Sequence, residues 1–198
     1  MTKDEIRQKI WDYMEKNNLV TFPKPCYGRI PNFVGAKIAG KRIQELKEFK
    51  KTQCVFSAPD SSLMEVRRQT LLAGKTLLVA LPHIVGYREI TGKELADKAV
   101  TISGFKRYGK EPKTPADLFV QGSVAVDLKG NRLGKGKGYG DREYVELKEL
   151  GLLNSKAKVV TVVHDCQIVE DFSKLTDEHD IKVDYILTPV RIIAVNKQ

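Results

Sequence analysis

The chain has few of the residues that build disulfide or metal frameworks: three cysteines and three histidines in 198 residues. Cys26, Cys54 and Cys166 are odd in number and far apart, which speaks against a disulfide scaffold and for reduced thiols in a cytoplasmic compartment. No spacing among cysteines and histidines matches a zinc site. No apolar run approaches the length of a membrane span. The charged start Met1-Thr2-Lys3-Asp4-Glu5 lacks the apolar core of a secretion signal. There is no internal repeat, low-complexity tract or clear linker. These absences leave one globular domain over residues 1–198, long enough to bury a substantial core.

Positive charge is what the chain has in excess. Lysine and arginine number 34 against 25 acidic residues, for a net charge of +9 and a pI near 9.4. Such a field attracts nucleotides, polyanionic cofactors or nucleic acid, although a solvated lysine surface accounts for much of it. Only clustered charge is informative. It clusters at Lys106-Arg107 with Lys110 and Lys113, and around a glycine run.

That run is Arg132-Leu133-Gly134-Lys135-Gly136-Lys137-Gly138-Tyr139-Gly140-Asp141-Arg142. Glycine at every second position uncovers backbone N–H groups and permits positive φ. The amides can then form a concave nest for an anion, and a helix starting just after it would aim its N-terminal amides the same way. Lys135 and Lys137 would add charge. The competing reading is a solvated flexible loop.

Periodicity places the rest. Thr2-x-x-Glu5 reads as a capping box opening a helix over 3–16, with Ile6, Ile10, Tyr13 and Met14 on its apolar face and Lys3 and Arg7 together on another. Residues 19–32 carry three prolines and form a loop. Ala36, Ala39, Ile43, Leu46 and Phe49 mark a second helix. Gly35 to Lys41 nearly matches a phosphate-binding P-loop, but Arg42 stands where Ser or Thr must hold Mg²⁺, so it is rejected. A strand at 53–57 that includes Phe56, a helix opened by Ser62-x-x-Glu65 and ended at Gly74, and the apolar run 76–81 predict a right-handed crossover in a parallel sheet. Further strands are expected near 84–90, over 118–127 with a kink at Gln121-Gly122, over 158–163, and in two final pieces at 185–187 and 190–195. A short helix is expected near Lys93, a basic surface loop at 105–113, and a helix from the glycine run to about Leu150. The pattern is that of a three-layer α/β/α sandwich with a mainly parallel central sheet.

Nucleophilic chemistry finds little support. His164-Asp165-Cys166 are consecutive, and neighbours on a strand point to opposite faces. Asp141 and Asp184 are hard oxygen donors suited to Mg²⁺ beside phosphates, if the fold brings them together.

Four markers in series make the chain resemble the 5-formyltetrahydrofolate cyclo-ligase family, in its divergent synthetase domain-containing branch. They are Lys3-x-x-x-Arg7; Asp117 to Asp127 followed by Gly130-x-Arg132-Leu133-Gly134; the glycine run ending Gly138-Tyr139-x-Asp141-Arg142; and His179-Asp180 through Asp184 to Thr188. Arg29-Ile30-Pro31-Asn32-Phe33 points to the divergent branch. The resemblance implies a fold related to ribose-phosphate isomerases and CoA transferases, with ATP and Mg²⁺ as cofactors. ATP would phosphorylate the formyl oxygen of 5-formyltetrahydrofolate; the second folate nitrogen would close the ring and phosphate would leave, giving 5,10-methenyltetrahydrofolate. Positioning and charge neutralisation suffice for such phosphoryl transfer. By position, Lys3, Arg7, Arg132, Gly134, Lys135, Gly136, Lys137, Gly138, Tyr139 and Gly140 would bind ATP, Asp141 and Asp184 would hold Mg²⁺, and Phe56 and Asp60 would meet the substrate. Two departures fall on the substrate side: Gly140 replaces a tyrosine usual in the family, and Asp60 replaces a glutamate. An ATP-binding relative without the reaction and a nucleic-acid-binding module are the alternatives. No RNA-recognition motif or zinc finger favours the latter.

Overall fold

The computed structural model describes residues 1–82 and 85–196. The first helix, α1 (Lys3–Lys16), is capped as its sequence predicts: Thr2 Oγ1 accepts the Glu5 N–H at 3.1 Å. It buries Ile6, Ile10, Trp11 and Met14, while Tyr13 faces out, against the expectation. The single helix expected next is broken into α2 (Ala36–Lys41), a 3₁₀ turn (Arg42–Glu45) and α3 (Lys47–Lys51). Leu46 is extended, with ψ at 130°, and Ile43, Leu46 and Phe49 all remain in the core. Packing against the sheet outweighs the preference for one continuous helix.

The strands β1 (Cys54–Ser57) and β2 (Thr76–Ala80) pair in parallel through α4 (Met64–Leu72), as the crossover predicts. Gly74 ends this connection at φ +74°. The strand β3 (Tyr87–Ile90) returns antiparallel to β2; Ile84 lies outside the described residues. A 3₁₀ turn at Lys93–Leu95 replaces the short helix expected there.

The basic surface loop expected at 105–113 is a helix over its first part. In α5 (Ile102–Tyr108), Phe105 is fully buried with Leu71, Leu77 and Ile90, and the Arg67 guanidinium lies 5.6 Å from its ring centroid. An aromatic side chain inside the basic stretch supplied an anchor that composition alone concealed.

The expected kinked strand over 118–127 is two strands in two sheets. The strand β4 (Ala116–Gly122) lies in the centre of the large sheet, and β5 (Ala125–Asp127) pairs with β6 (Arg132–Leu133) in a small one. After α6 (Tyr139–Glu149) come β7 (Leu153–Val162), β8 (Ile168–Val169), β9 (Tyr185–Leu187) and β10 (Ile192–Ala194). The seven-stranded sheet runs β10-β9-β7-β4-β1-β2-β3, with the five strands from β9 to β2 parallel and both edges antiparallel; the small sheet runs β6-β5-β8.

Side-chain alternation along the strands makes the layers. Val55, Leu118, Val120 and Val160 join the core under α1, α2 and α3, and Leu77 and Val79 join Phe105 of α5. Their neighbours Cys54, Phe56, Leu78, Phe119 and Val159 face the opposite side, with Leu147 of α6. This is the α/β sandwich that the sequence predicts. Residues 58–60 after β1, 81–82 after β2, and Gln121-Gly122 at the end of β4 line one cleft. Open parallel sheets bind ligands beyond the carboxyl ends of their strands.

Candidate functional site

The cleft has a volume of about 890 Å³. One wall is the glycine run. Gly136 and Gly138 take φ of +98° and +69°, the conformations that let successive amides turn towards an anion. The helix starts earlier than expected: α6 begins at Tyr139, with Gly138 as its N-cap, so Tyr139 to Arg142 form its first turn rather than loop. The amides at the start of this 11-residue helix therefore adjoin the nest. Lys135 and Lys137 are exposed, and Arg142 packs over the Tyr139 ring at 4.9 Å while donating from Nη2 to the Lys137 carbonyl at 3.0 Å.

Two arginines, one on the distant α1 and one at the start of the run itself, brace this wall. Arg7, buried on α1, donates from Nε to the Gly134 carbonyl at 2.7 Å and from Nη1 to Asp4 at 2.6 Å. Arg132 donates from Nε to the Gly122 carbonyl at 2.9 Å, which ties the start of the run to the end of β4. Burial lowers the Arg132 pKa from its ordinary value, opposed by Asp141, Asp60 and Glu143. Lys3 lies at the rim, 3.4 Å from Asp180.

The floor is more acidic. Asp60 follows β1 in a segment pinned by Arg67, whose Nη1 donates to the carbonyls of Ala58 at 2.8 Å and Asp60 at 3.0 Å. Burial pushes the Asp60 carboxyl above its usual range, against the pull of Arg67, Arg132 and Lys135. Glu143, buried on the first turns of α6, is pushed up to about 7, first by burial and then by Asp60. Burial thus favours the neutral form of both floor carboxyls, beside a cationic, amide-rich wall.

Of the residues singled out in the sequence, Lys3, Arg7, Asp60, Arg132 and all of Gly134 to Asp141 line this cleft. Two do not. Phe56 is fully buried, stacked on Phe119 at 4.8 Å and edge-on to Tyr87, because alternation turns it to the α6 side of the sheet. Asp184 precedes β9 and accepts the Val159 N–H at 2.7 Å, a contact that fixes the approach of β9 to β7 outside the cleft lining. Among the described residues no group of three or more His, Cys, Asp or Glu is placed to hold a metal ion. Cys166 also stands apart from the cleft; its N–H donates to His164 Nδ1 at 3.1 Å, and burial raises its thiol to about 11.

The sequence reading missed Gln121, Glu143 and Asp180 as cleft residues. The signal available was positional: Gln121 interrupts the apolar run 118–120 near the end of β4, and Glu143 is placed one helical turn beyond Tyr139.

The fold is a mainly parallel α/β domain with a cationic, glycine-walled cleft at its strand ends. More narrowly, the chain belongs to the 5-formyltetrahydrofolate cyclo-ligase family, whose sequence profile matches residues 1–189. It is 44% identical over 205 residues to a human methenyltetrahydrofolate synthase domain-containing protein, covering 98% of this chain and 54% of that one. It is 25% identical over 171 residues to a probable 5-formyltetrahydrofolate cyclo-ligase of Schizosaccharomyces pombe, covering 77% of this chain and 83% of that one. The chain spans about half the length of the vertebrate relatives it matches. The fold is similar to the NMR structure of Aquifex aeolicus 5,10-methenyltetrahydrofolate synthetase, with a TM-score of 0.64 at 23% identity, over 100% of this chain and 95% of that one. No helix among the described residues is long and apolar enough to cross a membrane.

Proposed function

We propose that this domain is an ATP-dependent cyclo-ligase that converts 5-formyltetrahydrofolate, or a close reduced pterin, to the 5,10-methenyl form. The observation that carries the reading is the convergence of Lys3 and Arg7, from the first helix, with Arg132, at the start of the glycine run, on the wall of one cleft. Family membership adds the reaction class.

The triphosphate lies along Gly134 to Gly140, where the amides of the nest and the start of α6 receive phosphate oxygens and Lys3, Arg7, Arg132, Lys135 and Lys137 balance their charge. Tyr139 flanks the same wall. Mg²⁺ fits this donor set through Asp141, since the ion commonly takes one or two carboxylates and completes its shell with phosphate oxygens and water. Bound there, it would neutralise charge on the transferred phosphoryl group. Asp184 is left out because it does not line the cleft.

The reduced pterin lies towards the floor, near Asp60 and Glu143. The γ-phosphoryl group passes to the formyl oxygen, the second folate nitrogen attacks the activated carbon, and phosphate leaves together with that nitrogen's proton. The work asked of the protein is positioning and charge stabilisation, which agrees with a cleft built of amides, cations and carboxyls.

The deciding experiment mixes purified protein with 5-formyltetrahydrofolate, Mg²⁺ and ATP and follows the methenyl product by absorbance. Product formation that needs ATP is expected. ATP binding without any product would sink the cyclo-ligase reading and leave a nucleotide-binding relative. Of the aromatic side chains in the basic stretch, Phe105 is in the core and Tyr108 is half-buried against it.

A further inference from the structure

Gln121, the penultimate residue of β4, is 2% exposed, and neither Oε1 nor Nε2 of its side chain has a hydrogen-bond partner in the protein. Leaving a buried polar group unpaired destabilises the fold, and a carboxamide has two such atoms. A leucine or methionine would fill the same space without that cost. The residue lines the cleft beside Asp60, Gly122, Arg132 and Gly140.

The structure also makes room for this amide. A Cβ on Gly140 would lie 2.5 Å from Gln121 Oε1. Gly140 sits within α6, where glycine is less favourable than alanine. Its φ is not in the left-handed region. A side chain there would take the space that the end of Gln121 occupies, so glycine leaves the carboxamide room at the cleft wall.

A carboxamide presents an acceptor and a donor side by side. Its complement is a group with N–H beside C=O, as in a cis-lactam. A phosphate offers only acceptors, so it would engage the Nε2 donor alone and leave the amide oxygen unpaired. A rotation of the terminal torsions, fast for a side chain, turns the amide to a ligand without moving the strand.

We propose that Gln121 reads the lactam edge of the substrate's pterin ring, and that the Gln121–Gly140 pair sets the cleft's specificity for such heterocycles. This rests on the cyclo-ligase reading only for the choice of ligand.

The test uses Gln121→Met, with Gln121→Leu as a second apolar replacement. Three quantities are measured: direct binding of 5-formyltetrahydrofolate by calorimetry, ATP affinity, and Tm. Affinity for 5-formyltetrahydrofolate should fall about tenfold, equivalent to about 1.4 kcal/mol. ATP affinity should stay the same, and Tm should hold or rise because an unpaired amide has been removed. Unchanged folate affinity, an equal loss of ATP affinity, or a lowered Tm in both variants overturns the proposal. The wild-type turnover assay separates the two readings. Binding that depends on Gln121 but yields no product supports the lactam contact and defeats the cyclo-ligase reaction. Turnover with folate affinity indifferent to Gln121 does the reverse. A wild-type protein that does not bind 5-formyltetrahydrofolate overturns both.

Discussion

Arg7 Nε and the carbonyl of Gly134 are 2.7 Å apart, across 127 residues of sequence. This bond fastens the first helix to the start of the glycine wall. It holds the arginine through Asp4 on one side and the backbone on the other, so the guanidinium arrives at the cleft already oriented. A planar guanidinium holds both anchors and presents donors to a ligand in one fixed fork; a lysine's compact ammonium on a flexible stem does not. Arg7→Lys is therefore expected to weaken ATP binding by tenfold or more despite keeping the charge, with Arg7→Ala weaker still. Titration calorimetry checks this, and Arg7→Lys binding like wild type would show that charge alone matters at this position.

Gly136 isolates the contribution of the backbone. At φ +98° an alanine is strained by about 1–3 kcal/mol, yet its Cβ would meet only the Arg7 guanidinium at an ordinary 3.6 Å. Since the loop is exposed, relaxing it should barely touch Tm. Gly136→Ala should instead lose nucleotide affinity as the nest opens. A fall in Tm of several degrees with nucleotide affinity intact would contradict the nest.

Asp141 tests the metal. It lines the cleft in the first turn of α6, and its Oδ1 accepts a long 3.3 Å bond from the Ile181 N–H, so its removal disturbs little else. In Asp141→Ala, binding of ATP with Mg²⁺ should weaken, and binding of ATP in the presence of EDTA should change much less. Equal effects with and without the ion would remove Asp141 from the proposed Mg²⁺ shell.

Glu143 predicts a pH dependence of stability. Its carboxyl is pushed up to about 7 in the folded chain from an ordinary 4.5. Between these values the folded chain keeps a proton that the unfolded chain has released, so this residue's contribution to stability is full below 4.5 and is lost as pH rises through 7. The slope is at most about 1.4 kcal/mol per pH unit. Glu143→Gln is neutral throughout, so its Tm should match wild type at acid pH and exceed it at pH of about 8, by the same linkage. Thermal melts at the two pH values check this; an equal offset at both would mean that packing, not ionisation, decides.

Much of this was written locally. Thr2 caps α1 because a side-chain oxygen three residues before an exposed N–H finds it regardless of the rest of the fold. The β1–α4–β2 crossover followed from two apolar runs around a helical one, since chirality allows one connection. The glycine run left an anion nest and a flexible loop both open, and the positive φ of Gly136 and Gly138 is the conformation a nest needs. Other features depended on partners far away. Leu46 breaks a helix that its local sequence favours because three side chains must reach the sheet. Phe105 is in the core because Leu71, Leu77 and Ile90 surround it.

By itself, then, the sequence determined the α/β class, the first parallel crossover and the alternating glycines and lysines of the cleft wall, all properties of near neighbours along the chain. The tertiary structure decided which charged groups share the cleft. It excluded Phe56 by strand alternation and Asp184 by its bond to the Val159 N–H, and brought in Glu143 and Gln121. The physical reason is that a side chain's burial, and so the cost of its charge or unpaired amide, depends on what packs over it. For Gln121 that is the bare face of Gly140, nineteen residues on and in a different element.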